Sequence, residues 1–338
     1  MAKTTGAQPP PPSSTGIVAL MPIAPDAAAL IEMLDQVFPK VDEVDSAFAA
    51  REQMKALNLP SQEEVGSVQD RTINGPNGPI PVRIYQPKLS SESISGRIGV
   101  VYFHGGGWVI CDLDSHDGGC RRFTNALNAI VISVDYRLAP ENQFPAAVDD
   151  AWAATQWVGE NADELGIDVT RVVVAGDSAG GNLAAVVAQK ARDEGEIELA
   201  YQLLIYPVID SSTTRNDYPS KTENSTGYFL TKGQMEWYRN QYLPSEADGE
   251  NPHVSPHLAS SLSGLAPAGI VTAEMDPLRD EGEHYGKLLI EAGVETTIYR
   301  APGMFHGFFN MESVLPGARD AQEVAFNLIK DALTTEET

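Results

Sequence analysis

A serine, an aspartate and a histidine in a workable order, preceded by a run of glycines, could carry nucleophilic acyl chemistry. Ser178 lies in Gly176-Asp177-Ser178-Ala179-Gly180. That pentapeptide follows the run Arg171-Val172-Val173-Val174-Ala175, which reads as a buried strand, and precedes residues 182–190, which read as a helix. A Gly-x-Ser-x-Gly turn between strand and helix lifts the hydroxyl onto a sharp, exposed bend. Its small residues suit a strained backbone with positive φ and a close strand–helix approach. A glycine-rich turn with an incidental serine would look the same in isolation, so the partners decide.

A serine hydroxyl needs a base to take its proton and a third group to orient that base. Of the six histidines, His306 stands in Pro302-Gly303-Met304-Phe305-His306-Gly307-Phe308-Phe309, a loop expected between the last strand and the C-terminal helix. A loop at a strand C-terminus can swing an imidazole over the nucleophile. The acid candidate is Asp276, just after a strand expected at 269–272, with Pro277 fixing the turn behind it. Glu274 and Asp280 are the rival acids, and Asp280 reads as a cap or ion-pair partner within the following helix.

The developing oxyanion needs donors already in place. His104-Gly105-Gly106-Gly107-Trp108 follows a strand expected at 98–103. Without side chains, Gly105, Gly106 and Gly107 let backbone N–H groups approach negative charge closely, and the N–H of Ala179 would complete the hole. A phosphate-cradling loop fails on pattern, because neither glycine fingerprint for phosphate is present. His104 then reads as an anchor. His253 and His257 have helical spacing, but Pro252 and Pro256 argue against a helix there, so no metal site is expected. No cofactor is expected either. Candidates to face the substrate are Trp108, Asp177, Tyr206, Phe229, Leu230, Met235 and Trp237. At least half of these would be ordinary packing.

The elements that must hold these groups read as an α/β fold. Strands are expected at 67–73, 80–85, 98–103, 129–134, 171–175, 201–206, 269–272 and 295–299, about eight in all. The first two flank the turn cluster Asn74–Gly78 and form a hairpin. Helices at 119–127, 146–160, 182–194 and 281–292 alternate with the later strands. An antiparallel start followed by β-α alternation implies a mostly parallel sheet with helices on both faces. Helical stretches near 27–38 and 44–57 precede the sheet, and 231–242 lies in a long insertion after the sixth strand. Both would overhang the strand C-termini, where open α/β sheets bind ligands. The chain therefore divides into a disordered tail at 1–15, N-terminal cap helices at 16–55, a catalytic domain at 56–204 and 246–338, and a cap insertion at 205–245.

The bulk numbers narrow the partners. With 47 acidic and 23 basic residues the formal charge is -24, which repels nucleic acid and anionic membranes and is compatible with raised salt. No stretch reaches the length of a membrane span. The N-terminus lacks a basic region followed by an apolar core, so no signal peptide is read. Two cysteines, Cys111 and Cys120, do not make a disulfide framework, and the expected compartment is reducing, hence cytoplasmic. Without a secretory route, the glycosylation pattern Asn224-Ser225-Thr226 reads as incidental.

Together His104–Trp108, Val134-Asp135-Tyr136-Arg137-Leu138-Ala139-Pro140-Glu141, the Ser178 pentapeptide, Asp276-Pro277-Leu278-Arg279-Asp280-Glu281-Gly282 and His306-Gly307-Phe308 resemble the bacterial hormone-sensitive-lipase-like esterases, an α/β-hydrolase family. The resemblance covers roughly residues 65–330. It implies the α/β-hydrolase fold and a carboxylesterase acting on small-molecule esters, with Ser178 as nucleophile, His306 as base and Asp276 as orienting acid. It favours Gly106 and Gly107 over Gly105 as loop donors and makes the Tyr136–Glu141 motif a structural corner. A homodimer is compatible with the family. The helical cap suggests an enclosed pocket for short-to-medium acyl chains. Amide cleavage by the same triad stays open. A non-catalytic receptor would have lost the base or nucleophile, and dehalogenases or epoxide hydrolases would need an aspartate where Ser178 stands.

Overall fold

Both faces of the central strands are covered, which is why their sequences show unbroken apolar runs. Along β3 (Arg97–Phe103), Val101 and Phe103 enter one apolar cluster while Val100 and Tyr102 enter another on the opposite face. The computed structural model describes residues 23–57, 61–88, 96–213 and 217–334, and the expected disordered tail lies outside them.

Two helices, α1 (Pro25–Val37) and α2 (Ala47–Leu57), precede the sheet. The hairpin β1 (Ser67–Gly75) and β2 (Gly78–Gln86) follows, then β3, α3 (Asp117–Leu127) and β4 (Ile130–Val134). Next come α4 (Ala146–Glu160), the short α5 (Ala162–Leu165), β5 (Ile167–Asp177), α6 (Ala179–Glu194) and β6 (Tyr201–Ile205). After α7 (Ser220–Glu223) and α8 (Lys232–Tyr242), the chain finishes with β7 (Ala268–Met275), α9 (Arg279–Glu291), β8 (Thr296–Phe305) and α10 (Pro316–Thr334). The strands form one eight-stranded sheet in the order β1-β2-β4-β3-β5-β6-β7-β8. β1 and β2 pair antiparallel, as do β2 and β4, and every pairing from β4 to β8 is parallel. Helices α1, α3 and α10 cover one face, and α2, α4, α6 and α9 contribute to the other. The expected α/β-hydrolase architecture is therefore present. Among the described residues, no helix is long and apolar enough to cross a membrane.

Register brings the chemistry together. Phe103 on β3 pairs with Gly176 on β5, so the triple-glycine loop and the serine turn leave the sheet side by side. Met275 on β7 pairs with Phe305 on β8, which sets Asp276 beside His306. β8 runs on to Phe305 instead of stopping near Tyr299, because a bulge absorbs Pro302 and Gly303. The Gly303 N–H donates to Glu274 Oε2 at 2.7 Å. Glu274, a rival acid in the sequence, is committed to this bulge.

One partly buried carboxyl works against the fold. Asp135 follows β4, and its N–H donates to the Pro81 carbonyl. Burial, then the charges of Asp112 and Asp114, push its carboxyl up to about 6, with Arg83 opposing. The folded value lies above the unfolded one, so between roughly pH 4 and 6 the native state holds more protons, and stability falls as pH rises through that window. Asp135→Asn is expected to stabilise the protein by about 1–3 kcal/mol at pH 8, a gain that shrinks toward zero near pH 4. Thermal melts at the two pH values check this, and an unchanged Tm at pH 8 would contradict it.

Candidate active site

The turn after β5 holds Ser178 at φ 56° and ψ -117°, a conformation ordinary residues avoid. Its N–H donates to the Ile205 carbonyl at 2.8 Å, and its own carbonyl accepts from Asn182 and Val208. The positive φ thus belongs to the serine itself. The glycines beside it serve close approach: a Cβ on Gly180 would stand 1.9 Å from the Phe103 carbonyl oxygen.

His306 follows β8 directly. Its Nε2 lies 2.9 Å from Ser178 Oγ, and its Nδ1 lies 2.7 Å from Asp276 Oδ2. Asp276 is fully buried, and its Oδ1 accepts the Leu278 N–H at 2.8 Å. Asn224 pins the acid from the α7 side, its Nδ2 donating to the carbonyls of Asp276 at 3.1 Å and Glu274 at 3.4 Å. That buried placement takes the glycosylation pattern at Asn224 out of solvent. Asp280 is held by Arg279 and by the Ser220 N–H, matching its reading as an ion-pair partner.

Of the glycine loop, only part is free to donate. The Gly105 N–H is taken by Asp177 Oδ1 at 3.0 Å, which removes Gly105 from the expected set of oxyanion donors. Gly106 and Gly107 have φ of 106° and 60°. Among the described residues, their N–H groups and that of Ala179 have no protein acceptor. For Ala179 this follows from its place at the first helical position, where no carbonyl lies a turn behind.

His104 anchors the loop, as the sequence suggested. Its ring stacks on Tyr136 at 4.3 Å, and the Tyr136 hydroxyl donates to the His104 carbonyl at 2.7 Å. Burial, helped by the His116 charge, pushes the His104 imidazole down to about 4, so it stays neutral. Asp177, expected to face substrate, lies at the cavity wall, and its Oδ1 is occupied by the Tyr102 hydroxyl at 2.8 Å, the Gly105 N–H and His116 Nε2 at 3.1 Å. Burial opposes its charge, yet His116 and the hydrogen bonds from His116 and Tyr102 hold it below the usual carboxylate range. Neither Tyr102 nor His116 carried a sequence signal, since nothing local links them to the turn.

A cavity of about 950 Å³ opens over Ser178 and His306. α1 and α2 supply an apolar wall of Leu34, Val37, Phe38, Met54 and Leu57, and Trp108, Phe229, Leu230 and Met235 line it as expected. Trp108 is braced by Tyr242, with ring centroids 4.1 Å apart and planes at 6°. Tyr206 and Trp237 do not line it. Tyr206 is buried and packs its ring against His306 at 4.7 Å. Trp237 lies off the face of α8 that turns Gln234, Met235, Tyr238 and Arg239 toward the cavity. The wall at 208–213 rests on the buried Glu281: Lys221 Nζ lies 2.7 Å from its Oε2, and its Oε1 accepts the N–H groups of Ile209 and Asp210. His257 gives its Nδ1 to the Ile209 carbonyl at 3.0 Å, so that ring supports the same wall.

Comparison with known proteins points one way. A family profile described as the alpha/beta hydrolase fold matches residues 100–310. Over 319 residues the chain is 42% identical to the carboxylesterase NlhH of Mycobacterium tuberculosis, covering 91% of this chain and 97% of that protein. It is 37% identical over 307 residues to an ethyl acetate hydrolase of Pseudomonas putida, covering 88% and 95%. Among solved structures, a hyperthermophilic esterase from the archaeon Pyrobaculum calidifontis superposes with a TM-score of 0.86 at 42% identity, covering 92% of this chain and 99% of that one.

Proposed function

The chain belongs to the α/β-hydrolases, among the hormone-sensitive-lipase-like esterases, and on that footing we propose that it is a serine carboxylesterase whose triad is Ser178, His306 and Asp276. The observation that carries the assignment is the relay of two short contacts, 2.9 Å from Ser178 Oγ to His306 Nε2 and 2.7 Å from His306 Nδ1 to Asp276 Oδ2.

Ser178 Oγ attacks the ester carbonyl carbon while His306 Nε2 takes its proton. Asp276 steadies the imidazolium and fixes its tautomer. The N–H groups of Gly106, Gly107 and Ala179 hold the oxyanion, and their fixed placement costs no reorganisation as charge develops. As the tetrahedral adduct collapses, His306 gives its proton to the departing alcohol oxygen. Water then attacks the acyl-enzyme, His306 acts again as base, and the carboxylic acid leaves.

α1, α2 and the described residues of the 205–245 segment serve as a cap, since their side chains line the cavity over Ser178. The apolar wall and bounded volume favour a small-molecule ester of short-to-medium acyl length. The two free thiols support a reducing, cytoplasmic setting. A series of p-nitrophenyl esters from acetate to palmitate checks the substrate reading. Turnover is expected to peak at short-to-medium chains, and fastest turnover on emulsified long-chain triglyceride would contradict it.

A further inference from the structure

We infer that Asp177 is a positioning residue for hydrolysis: its carboxylate ties the serine turn to the glycine loop and so fixes the spacing between the two halves of the oxyanion hole. The inference rests on the esterase reading above. One half, the Ala179 N–H, belongs to the turn after β5, and the other, Gly106 and Gly107, belongs to the loop after β3. Backbone pairing between these strands ends at Phe103 and Gly176, so beyond that point the sheet no longer sets their separation. Asp177 takes over there. It is the residue directly before the nucleophile, and its Oδ1 accepts the Gly105 N–H at 3.0 Å, directly before the two donor glycines.

The bond is built in from several sides. Tyr102 on β3 donates to the same oxygen at 2.8 Å, and His116, the residue before α3, reaches it at 3.1 Å. Gly105 N lies closer to Asp177 Oδ1 than to His116 Nε2, which stands at 3.4 Å, so Asp177 is the acceptor for the loop and His116 the donor to Asp177. The carboxylate also lies tight against the loop: a Cβ on Gly105 would fall 2.5 Å from Asp177 Oδ2. His116 is in turn held by Ser115 Oγ at 3.0 Å from its Nδ1. Three elements thus converge on one oxygen, and that oxygen connects nucleophile and donors. A group that spaces the hole affects the transition state more than the bound ester, because the oxyanion exists only after attack.

The test compares wild type, Asp177→Asn and Asp177→Ala on p-nitrophenyl butyrate, together with inhibition by an aryl trifluoromethyl ketone, which forms a tetrahedral adduct with a serine hydroxyl. Asp177→Ala is expected to lower kcat by about 10²–10³-fold, the range seen when an oxyanion donor is lost. KM should stay within about twofold, and inhibitor affinity should fall in parallel with kcat. Asp177→Asn keeps an acceptor for Gly105 but loses the carboxylate that also accepts from His116 and Tyr102, so an intermediate, roughly tenfold loss is expected in kcat and inhibitor affinity alike. Should the alanine variant not fold, the asparagine variant carries the test alone through that parallel. A rise in KM at constant kcat would overturn the inference and make Asp177 a substrate contact. Wild-type kcat and inhibitor affinity in a folded variant would overturn it as well. Absence of turnover in the wild type would sink the esterase reading and this inference together, whereas wild-type turnover with an unaffected Asp177 variant would sink the inference alone.

Discussion

Ser178→Ala is expected to lower kcat on p-nitrophenyl butyrate by about 10⁵–10⁶-fold, the loss typical of removing a triad serine, with a residue of catalysis left by the oxyanion donors. The change deletes one oxygen whose hydrogen-bond partner is His306 Nε2. The N–H and carbonyl of residue 178, bonded to Ile205, Asn182 and Val208, are untouched, so the turn keeps its supports. Fold and thermal stability should therefore stay close to wild type. Steady-state kinetics together with a thermal melt check both halves, and a variant retaining more than about a hundredth of wild-type kcat would remove Ser178 from the role of nucleophile.

Asp276→Asn is expected to cost about 10⁴-fold in kcat with little change in KM. Asp276 Oδ2 faces His306 Nδ1 at 2.7 Å and is wholly buried, so the ring has no solvent alternative on that side. An amide nitrogen in that place donates to Nδ1, which moves the ring proton to Nε2. The imidazole then presents a donor to Ser178 Oγ where the reaction needs an acceptor. An asparagine placed with its oxygen toward Nδ1 would leave the ring competent, and near-normal kcat in the variant would show that arrangement and contradict the expected tautomer change. Because the Asp276 backbone is fixed by Asn224 and Arg279, misplacement of the chain is not the expected cause of the loss.

Ser178, Asp276 and the glycine loop were legible because each follows a strand whose apolar run announces it. Val172–Ala175 leads to Ser178, the run ending at Thr272 leads toward Asp276, and the glycine loop follows Val100–Phe103. Strand register, invisible in the sequence, then converts separate motifs into neighbours through the Phe103–Gly176 and Met275–Phe305 pairs. Punctuation misled the reading at β8: Pro302 and Gly303 look like the end of a strand, yet a bulge bonded to Glu274 carries the strand past them to His306. The roles of Gly105 and Asp177 were hidden for a different reason. Glycine composition shows that N–H groups can approach an oxyanion, but which of them is spent elsewhere depends on a carboxylate 72 residues away. Tyr206 and Trp237 show the limit of residue type as a guide. Both are large aromatics in the expected segment, but one braces His306 and the other sits off the cavity face of α8. The Lys221–Glu281 pairing that supports the cavity wall joins two helices through side chains alone, a contact that no local pattern encodes.

The most direct test of the account is to trap the covalent intermediate. The enzyme is mixed with p-nitrophenyl butyrate, quenched in acid during turnover, digested, and its peptides weighed. The account predicts a butyryl group on the peptide containing Ser178, located on that residue by fragmentation and absent from the Ser178→Ala protein. A butyryl group on any other side chain, or full turnover with no acyl-enzyme and an unimpaired Ser178→Ala variant, would contradict it.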